Sequence, residues 1–542
     1  MSRRSHSDGW ILVGTIVLVF LLLFLVWPLF CIFFEGLVSR DAYIVFFRRA
    51  YYYRGFLNSL WLSSASSLGS ILLGVPLALL VARYEIPMKG LIRTVSILSL
   101  LSPPFIGAYA WVLLFGRSSS LAKVLHLNGG VITGANRVLL VFILHHFAYV
   151  YLLVSSALER VDPCLEESAE TMGMSPRRRL TTITLPLVMP SILAGAMLVF
   201  LTTLSDFGTP MLVGDGIRTL PILVYNEFIN EIGGNPKMAS ALSLIMVCVA
   251  LSAMALIRCA LAKRNYASYG VRRPVLKPLS GRLRWLGTGF SFWIIAVLLL
   301  PQLVILFTSF MHQEGPVFSG EIGLDNYRWL WRRMATPFIN TISFSTIASV
   351  IILLSGMVTA FLLVRRRGWI GQLVDRLLTL AHIVPGTVLA IGLLLCWGRP
   401  PLSLTGTAAI LVIAYIVRRI SFTVRAAEAG LRQISPAIEE SSLALGASPL
   451  RTFCYVTVPL LLPAALAGAT VSWVSILGEL SSTALLYTGS TSTISIQIYN
   501  QVLAEHFGRA AALGVVTVLL TLLSLFVLSR WRNKDQNFLA LQ

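Results

Sequence analysis

Charged residues are scarce in this chain of 542 residues: they make up 12% of the sequence, about half the share typical of soluble globular proteins. Hydrophobic residues make up 56%, and the mean hydropathy is +0.80. So apolar a chain excludes a soluble globular class and makes membrane lipid the expected solvent. The net charge of +20 then indicates basic loops beside a membrane, and we expect no nucleic acid as a partner.

Motifs for nucleotide binding, catalysis and metal binding are also missing. The chain has six lysines, and none follows Gly in the context of a phosphate-binding Gly-Lys-Ser/Thr loop. No HExxH motif, nucleophile elbow or carboxylate cluster indicates an enzyme, so we expect no catalytic residues, no metal and no cofactor in this chain. The cysteines form no CxxC pair and predict neither a disulfide framework nor a metal site, only small apolar fillers: Cys31, Cys164, Cys248, Cys259, Cys396 and Cys454.

Long apolar runs are what the sequence does contain, and a membrane-spanning helix needs about 20 such residues. The first run is too long for a signal-peptide core and no small-residue cleavage site follows it, so we expect an uncleaved first span. The runs predict an all-α polytopic membrane protein with about twelve transmembrane helices, near residues 11–34, 57–82, 91–115, 138–157, 187–205, 239–261, 289–310, 338–364, 375–397, 405–420, 456–478 and 511–530.

Basic residues are distributed unevenly between alternate loops. If the N-terminus lies inside, 29 of the 43 Lys and Arg residues fall in inner segments, among them Arg177 to Arg179, Arg418 and Arg419. Basic residues concentrate on the cytoplasmic side of membrane proteins. The pattern therefore predicts a multi-pass protein with both termini in the cytoplasm.

The sequence of the first half recurs in the second half at a fixed residue offset, the repeat offset, at which Glu166 aligns with Glu439. Residues 158–208 align without a gap on 431–481, and 18 of the 51 positions are identical. Each half then has six predicted spans, an even number that gives both halves the same orientation, as in parallel transporter repeats. We therefore divide the chain into a first repeat, a basic cytoplasmic linker and a second repeat, at 1–261, 262–288 and 289–542.

The best-matched segment of the repeat lies between the fourth and fifth spans of each half, in predicted cytoplasmic loops at 163–180 and 436–453. Pro163 suits a first helical turn, and the acidic residues after it suit the positive end of a helix dipole. Gly173 can adopt the left-handed conformation that ends a helix, and Ser175-Pro176 can start another. The sequence thus predicts a short helix, a sharp turn and a second helix that leads into the fifth span.

This duplicated pattern resembles the EAA loop of binding-protein-dependent ABC permeases. The family pattern is Glu-Ala-Ala, three residues, Gly, nine residues, a hydrophobic residue, one residue, then Leu-Pro. The two copies here read Glu167-Ser168-Ala169, Gly173, Ile183, Leu185-Pro186 and Glu440-Ser441-Ser442, Gly446, Val456, Val458-Pro459. Ser replaces the first Ala in both copies, and the second copy also departs at the second Ala and at the Leu before Pro.

In that family the loop is a coupling helix that docks in a groove of a cytoplasmic ATPase subunit. The resemblance implies a bacterial inner-membrane location, two copies of a cytoplasmic ABC ATPase that binds the ATP, and a periplasmic substrate-binding protein. It also implies that the ATPase-coupling surface is contacted or shaped by Glu167, Ala169, Gly173, Glu440, Ser442 and Gly446. A plain helix–turn–helix corner is the alternative for these residues.

Acidic residues are rare in the predicted spans, which argues against an ion-coupled secondary transporter, the rival class. Asp206 and Glu479 directly follow apolar stretches and are related by the repeat offset. They are either a pair of carboxylates at the outer mouth of a transport pathway or polar residues at helix ends that face water. His145-His146 either lines the pathway or packs between helices.

The segments from Ser205 to Pro210 and from Thr219 to Phe228, with the fused two-half layout, resemble ferric-iron permeases of the importer family. That resemblance implies a ferric-binding protein outside and an iron-transport ATPase inside. Fused permeases for thiamine, phosphonates and sugar phosphates have a similar layout, so these cargoes stay open. The expected mechanism is alternating access, in which the two loops move with the ATPase subunits and the two halves rock.

Overall fold

The computed structural model describes residues 5–539 apart from 102–103, 116–133, 230–233, 263–275, 279–280, 316, 367, 399 and 401. Most of the predicted linker, including Pro274, lies outside the described residues. Helices dominate the described chain, and its strands form two short pairs.

The elements up to residue 262 are mostly long helices joined by short ones. In chain order they are α1 Ser5–Leu21, a π turn Leu22–Val26, α2 Trp27–Val38, α3 Arg40–Arg48, α4 Ala50–Arg83, β1 Tyr84–Glu85, α5 Lys89–Leu101, α6 Pro104–Phe115, α7 Gly134–Leu158, α8 Pro163–Thr171, α9 Pro176–Arg179, a π turn Leu180–Thr184, α10 Leu185–Ser205, α11 Gly208–Val213, α12 Leu220–Ile229 and α13 Pro236–Ala262.

The elements from residue 277 onward are again mostly helices, and they include one β-hairpin. They are β2 Lys277–Pro278, α14 Gly281–Ser309, β3 Met311–Glu314, β4 Val317–Ile322, α15 Asp325–Arg333, α16 Ala335–Arg365, α17 Trp369–Ile383, α18 Gly386–Trp397, α19 Ala408–Gln433, α20 Pro436–Ala444, α21 Pro449–Thr452, a π turn Phe453–Thr457, α22 Val458–Leu477, α23 Thr483–Leu486, a 3-10 turn Gly489–Thr491, α24 Ile494–Leu503 and α25 Phe507–Leu539. Strand β1 pairs parallel with β2, and β3 pairs antiparallel with β4.

Nine helices in the described part of the chain are long and apolar enough to cross a membrane, against the twelve predicted spans. They are Val13–Val38, Ala50–Arg83, Gly134–Leu158, Pro176–Ser205, Pro236–Leu261, Arg284–Ser309, Ala335–Arg365, Pro449–Leu477 and Phe507–Val527. A tenth is obtained if α17 and α18, which meet at a bend of 110°, count as one broken span. The fold is thus an all-α polytopic membrane protein, as predicted.

The third, ninth and tenth predicted spans do not form single long apolar helices in the structure, each for an identifiable reason. The ninth breaks at Val384-Pro385, because the residue before a proline disfavours helical geometry, and Val384 has ψ of 124°. The third is divided between α5 and α6, which are 13 and 12 residues long and therefore each too short to cross alone. The tenth belongs to α19, which continues past residue 420 through several charged residues to Gln433.

One compact unit comprises Ile44–Leu223 and Ile245–Thr308. Helices α4, α7 and α10 pack on one another at its centre, around fully buried Phe147 and Leu158. Helix α14, the first span of the second repeat, adds Ile294 to the same cluster.

The second compact unit comprises Met1–Tyr43, Val224–Leu244 and Ser309–Gln542. Its centre is formed by α16, α19 and α22, which pack around Leu431 and Leu461. The N-terminal helices α1 and α2 pack on α16, α17 and α18 of the same unit. The first span of each repeat therefore packs with core helices of the other repeat, while the repeat boundaries themselves stay a prediction from the sequence.

Glycines allow the three central helices of each unit to approach closely, as small residues do between membrane helices. In one unit, a Cβ on Gly195 would lie 2.9 Å from Cα of Val150 on α7. In the other, a Cβ on Gly468 would lie 2.7 Å from Cα of Thr423 on α19. The two glycines are related by the repeat offset, and so are the two residues that they face, so the repeat continues upstream of the aligned segment.

The structure contradicts one expectation about cysteine. Cys31 on α2 and Cys396 on α18 form a disulfide 365 residues apart in sequence. Because the two cysteines are so far apart and belong to no CxxC pattern, spacing in the sequence could not indicate the pair. Cys164, Cys248, Cys259 and Cys454 are exposed.

Candidate functional site

Each predicted coupling loop folds as a short helix, a tight turn and a second helix; these are the first and second elbow, residues 163–180 and 436–453. In the first elbow, Asp162 caps α8 by accepting a hydrogen bond from a backbone N–H, and Pro163 occupies the first turn. In the second, Ser435 caps α20 in the same way and Pro436 follows. The predicted local structure is confirmed in both elbows.

A glycine makes the turn of each elbow. Gly173 has φ of +76° and Gly446 has φ of +89°, in the left-handed region that favours glycine. The N–H of Gly173 donates to the carbonyl of Glu170, and the N–H of Met174 donates to that of Ala169, both at 3.0 Å. These two bonds define a Schellman C-cap, and the second elbow has the equivalent pair.

An arginine at the end of a long helix anchors the first acidic residue of each elbow. Arg83, the last residue of α4, donates to Glu166 at 2.8 Å, and the hydroxyl of Thr184 donates to the same carboxylate oxygen. Arg365, the last residue of α16, donates to Glu439 at 3.2 Å. The sequence analysis missed these partners. Their signal is that two equivalent spans both end in arginine.

The predicted coupling residues divide into two groups. Glu167 and Glu440 are exposed, as are the two turn glycines. Ala169 is buried, and Ser442 is half-buried with its hydroxyl 3.0 Å from that of Thr452. The acidic residues are therefore available to a partner, while Ala169 and Ser442 shape the elbow from inside.

Each elbow also presents an apolar residue that the sequence analysis missed. Met172 is 85% exposed and Leu445 is 90% exposed, each directly before the turn glycine. Leu165 and Ile438 add a second exposed apolar pair near the start of the same short helices, α8 and α20. Both pairs are related by the repeat offset, so recurrence of an apolar residue in otherwise polar loops was the signal. Exposed apolar groups at matching places mark a surface suited to a protein partner.

The second helix of each elbow continues unbroken into a long span. The continuous helices are Pro176–Ser205 and Pro449–Leu477, each with a π turn near its start. Thirty residues at 1.5 Å each give a length of about 45 Å. Asp206 and Glu479 lie just past the far ends of these helices, so one continuous helix joins each elbow to the predicted pathway residue.

Asp206 and Glu479 hold equivalent turns. Asp206 accepts hydrogen bonds from the N–H and the hydroxyl of Thr209, both at 2.9 Å. Glu479 accepts from the N–H and the hydroxyl of Ser482, both at 3.2 Å. Glu479 is only 4% exposed, so the alternative in which it faces water is wrong. A pathway role for either carboxylate stays a prediction.

Glu479 forms ion pairs with both Arg418 and Arg419; these three residues are the Arg–Glu cluster. Both arginines lie inside α19 and not in a connection between helices; their assignment to an inner segment stays a prediction. Fourteen residues, about 21 Å of helix, separate Arg419 from Gln433, the last residue of α19. Hydropathy ends a span at charged residues, but here a buried carboxylate offsets part of the charge.

His145-His146 occupies the positions in the first repeat that the repeat offset aligns on the two arginines. The ring of His146 is buried and stacks on Phe142, and its Nδ1 lies 3.4 Å from the hydroxyl of Thr203. These contacts agree with a packing role for His146. His145 lines a small cavity beside Trp111, and a pathway role for it stays a prediction. Across the described residues, no group of three or more His, Cys, Asp or Glu could hold a metal ion.

Duplicated spans, duplicated elbows and long connecting helices define the class of this protein as a two-repeat helical membrane permease. The model of the family described as binding-protein-dependent transport system inner membrane component matches residues 74–264 and 352–531. The chain belongs to this family and is a multi-pass inner-membrane permease component. Membership implies that it works with an ATPase and a periplasmic binding protein.

Two relatives assigned to ferric transport match most of the chain, and a third, with a different assigned cargo, matches less than half of it. The chain is 25% identical over 536 residues to the ferric transport system permease protein of Actinobacillus pleuropneumoniae, covering 95% of this chain and 77% of the relative. It is 25% identical over 486 residues to an Fe(3+)-transport system permease protein of Haemophilus influenzae, covering 88% and 90%. It is 28% identical over 249 residues to a Salmonella typhimurium permease assigned to 2-aminoethylphosphonate transport, covering 45% and 92%.

Proposed function

We propose that this chain is the permease subunit of an ABC importer that moves ferric iron from a periplasmic binding protein into the cytoplasm. A separate ATPase supplies the energy by hydrolysing ATP, and this chain binds no cofactor of its own. The observation that carries the proposal is the pair of matched elbows, each with an exposed acidic residue and an exposed apolar residue. One ATPase subunit per elbow gives two copies for each chain.

The proposed docking also implies an orientation for the chain. Both elbows must face the ATPase and therefore lie in the cytoplasm, which agrees with the exposed basic residues Arg177 and Arg178 on the first elbow. Helix α19 leads out of the membrane into the second elbow, and α7 leads into the first. The C-terminus is then cytoplasmic, because two spans follow the second elbow. A cytoplasmic N-terminus further requires that α5 and α6 together complete one crossing before the first elbow.

Force passes from each elbow through the helix that continues from it. ATP binding brings the ATPase subunits together, and each elbow moves with the subunit that holds it. Because Pro176–Ser205 and Pro449–Leu477 are continuous, the movement reaches the turns at Asp206 and Glu479. Hydrolysis restores the starting state, since each partner binds one conformation better than the other.

Support for iron comes from relatives assigned to ferric transport that cover nearly the whole chain. The second candidate cargo is a phosphonate, which one relative that matches a single repeat favours. The test is uptake of radiolabelled ferric iron and of labelled 2-aminoethylphosphonate into proteoliposomes that contain this chain, its ATPase and its binding protein. Uptake of iron alone supports the proposal, and uptake of the phosphonate alone replaces iron as the cargo.

A further inference from the structure

We propose that Arg418, Arg419 and the N-terminus of α18 form a binding site for an oxyanion, such as a phosphate, phosphonate or carboxylate group. The site lies within one compact unit and is built only from residues of this chain. The proposal does not depend on which cargo the permease carries.

The Arg–Glu cluster carries more positive than negative charge. Two guanidinium groups face one carboxylate, and in the described part of the chain Glu479 is the only acid in ion-pair contact with either. The next arginine on α19, Arg425, has its own carboxylates: Asp375 lies at 2.7 Å and Glu428 at 2.8 Å. Burying an uncompensated charge is strongly unfavourable, so a second negative group would stabilise the cluster.

The N-terminus of α18 adds positive potential at the same place. A Cβ on Gly386, the first residue of this 12-residue helix, would lie 2.5 Å from Nη1 of Arg418. The guanidinium therefore lies directly against the helix start, where the dipole is positive and the first N–H groups have no partner within the helix. A cation in this position is unfavourable without an anion, whereas helix N-termini and arginines together bind oxyanions well.

Unsatisfied donors provide an independent observation. Among the described residues, Nε of Arg419 is buried without a hydrogen-bond partner. The hydroxyl of Thr387, the second residue of α18, is fully buried and also lacks one. Buried polar groups are nearly always hydrogen-bonded, because an unpaired one retains its full desolvation cost. An oxyanion offers several acceptors to such donors.

The protein does not fully enclose the two arginines: the side chain of Arg418 is 13% exposed and that of Arg419 is 20% exposed. The first repeat supplies a matched control. It carries His145-His146 in place of the arginines and Asp206 in place of Glu479, so it lacks the permanent double positive charge.

The experiment measures the thermal unfolding midpoint of the purified full chain in lipid nanodiscs as inorganic phosphate replaces chloride at constant ionic strength. Ligands that bind the folded state raise the midpoint in a saturable way. The wild-type chain should show such a rise. Arg419→Gln leaves one arginine balanced by Glu479 and should abolish it, whereas His146→Gln should leave it unchanged.

Glu479→Gln distinguishes an oxyanion site from a purely structural ion cluster most clearly. It leaves two arginines without a carboxylate, so its midpoint should fall in chloride, recover with phosphate, and reach half-saturation at about one tenth of the wild-type phosphate concentration. A purely structural ion cluster predicts a loss in Glu479→Gln that phosphate does not recover. That result, or equal phosphate responses in wild type and Arg419→Gln, overturns the proposal.

Two further titrations identify the source of the oxyanion, with 2-aminoethylphosphonate and with citrate. A larger rise of the unfolding midpoint with the phosphonate or with citrate than with phosphate supports an oxyanion that belongs to the transported cargo. Equal responses to all three support a general oxyanion site occupied by free anions.

Discussion

Arg83 donates a hydrogen bond to Glu166 at 2.8 Å and thereby ties the end of a long helix to the first helix of an elbow. Arg365 and Glu439 form the same link in the other repeat. In each elbow, the first glutamate of a Glu-Glu pair is thus used internally and the second, Glu167 or Glu440, is left exposed. A Glu-Glu pair in the sequence therefore contains two residues with different roles.

The Arg83–Glu166 link predicts a measurable coupling energy. Arg83→Gln and Glu166→Gln should each lower affinity for the ATPase, because the elbow loses its anchor. The double variant should lose less than the sum of the two, with a coupling free energy of about 1.5 kcal/mol, as for hydrogen bonds to charged groups. Titration of labelled ATPase onto nanodisc-held chain measures all four affinities. Additive losses would show that the two residues do not act together.

The turn glycines predict a conformational defect. Gly173→Val and Gly446→Val place a β-branched residue at positive φ, which costs about 1–3 kcal/mol of strain and should distort the elbow. We expect ATPase affinity to fall at least about tenfold, with membrane insertion unchanged. Gly320→Val is the matched control, since Gly320 also has positive φ, +85°, but lies in the β3–β4 hairpin. Wild-type ATPase affinity in both elbow variants would contradict the predicted role.

The exposed apolar residues predict a docking contribution. Met172→Gln and Leu445→Gln remove side chains that touch little within the chain, so stability should not change. Burying such a side chain in a partner contributes about 1.5–3 kcal/mol, so each change should weaken ATPase binding about tenfold or more. Ile322→Gln, at another exposed apolar residue, is the control. If the elbow variants bind as tightly as this control, these residues lie outside the docking surface.

The disulfide predicts a pattern of chemical protection. Cys31 and Cys396 should resist alkylation until a reductant is added, while exposed Cys454, in the π turn after the second elbow, should react at once. Mass spectrometry of the digested chain, without reduction, should recover the peptides of Cys31 and Cys396 joined. Alkylation of both residues in the untreated chain would show that the bond is absent.

The elbows were the most predictable part of the structure, because caps, prolines and turn glycines act over a few neighbouring residues. Their doubling in the sequence added independent support. The anchors Arg83 and Arg365 were less accessible, since each lies far along the chain from the glutamate that it contacts. Contacts of that kind depend on which spans pack together, and a single sequence contains no direct record of that.

The cluster at Glu479 shows where hydropathy fails. Arg418 and Arg419 interrupt an apolar run, and a window of residues cannot distinguish a charge in water from one paired inside a membrane protein. The pairing residue lies 60 positions away and comes near only because α19 packs on α22. The repeat offset relates Arg418-Arg419 to the equivalent positions of the first repeat. Those positions hold His145-His146, so the comparison of the two copies did not indicate a buried pair of arginines.

Cargo uptake by proteoliposomes that hold this chain with its loaded binding protein, with and without the ATPase and ATP, tests most directly whether the elbows transmit force. Uptake should occur only when ATPase and ATP are both present, and it should be lost in the Gly173→Val, Gly446→Val double variant. Uptake at the full rate without the ATPase would contradict the claim that the two elbows transmit force from a separate subunit.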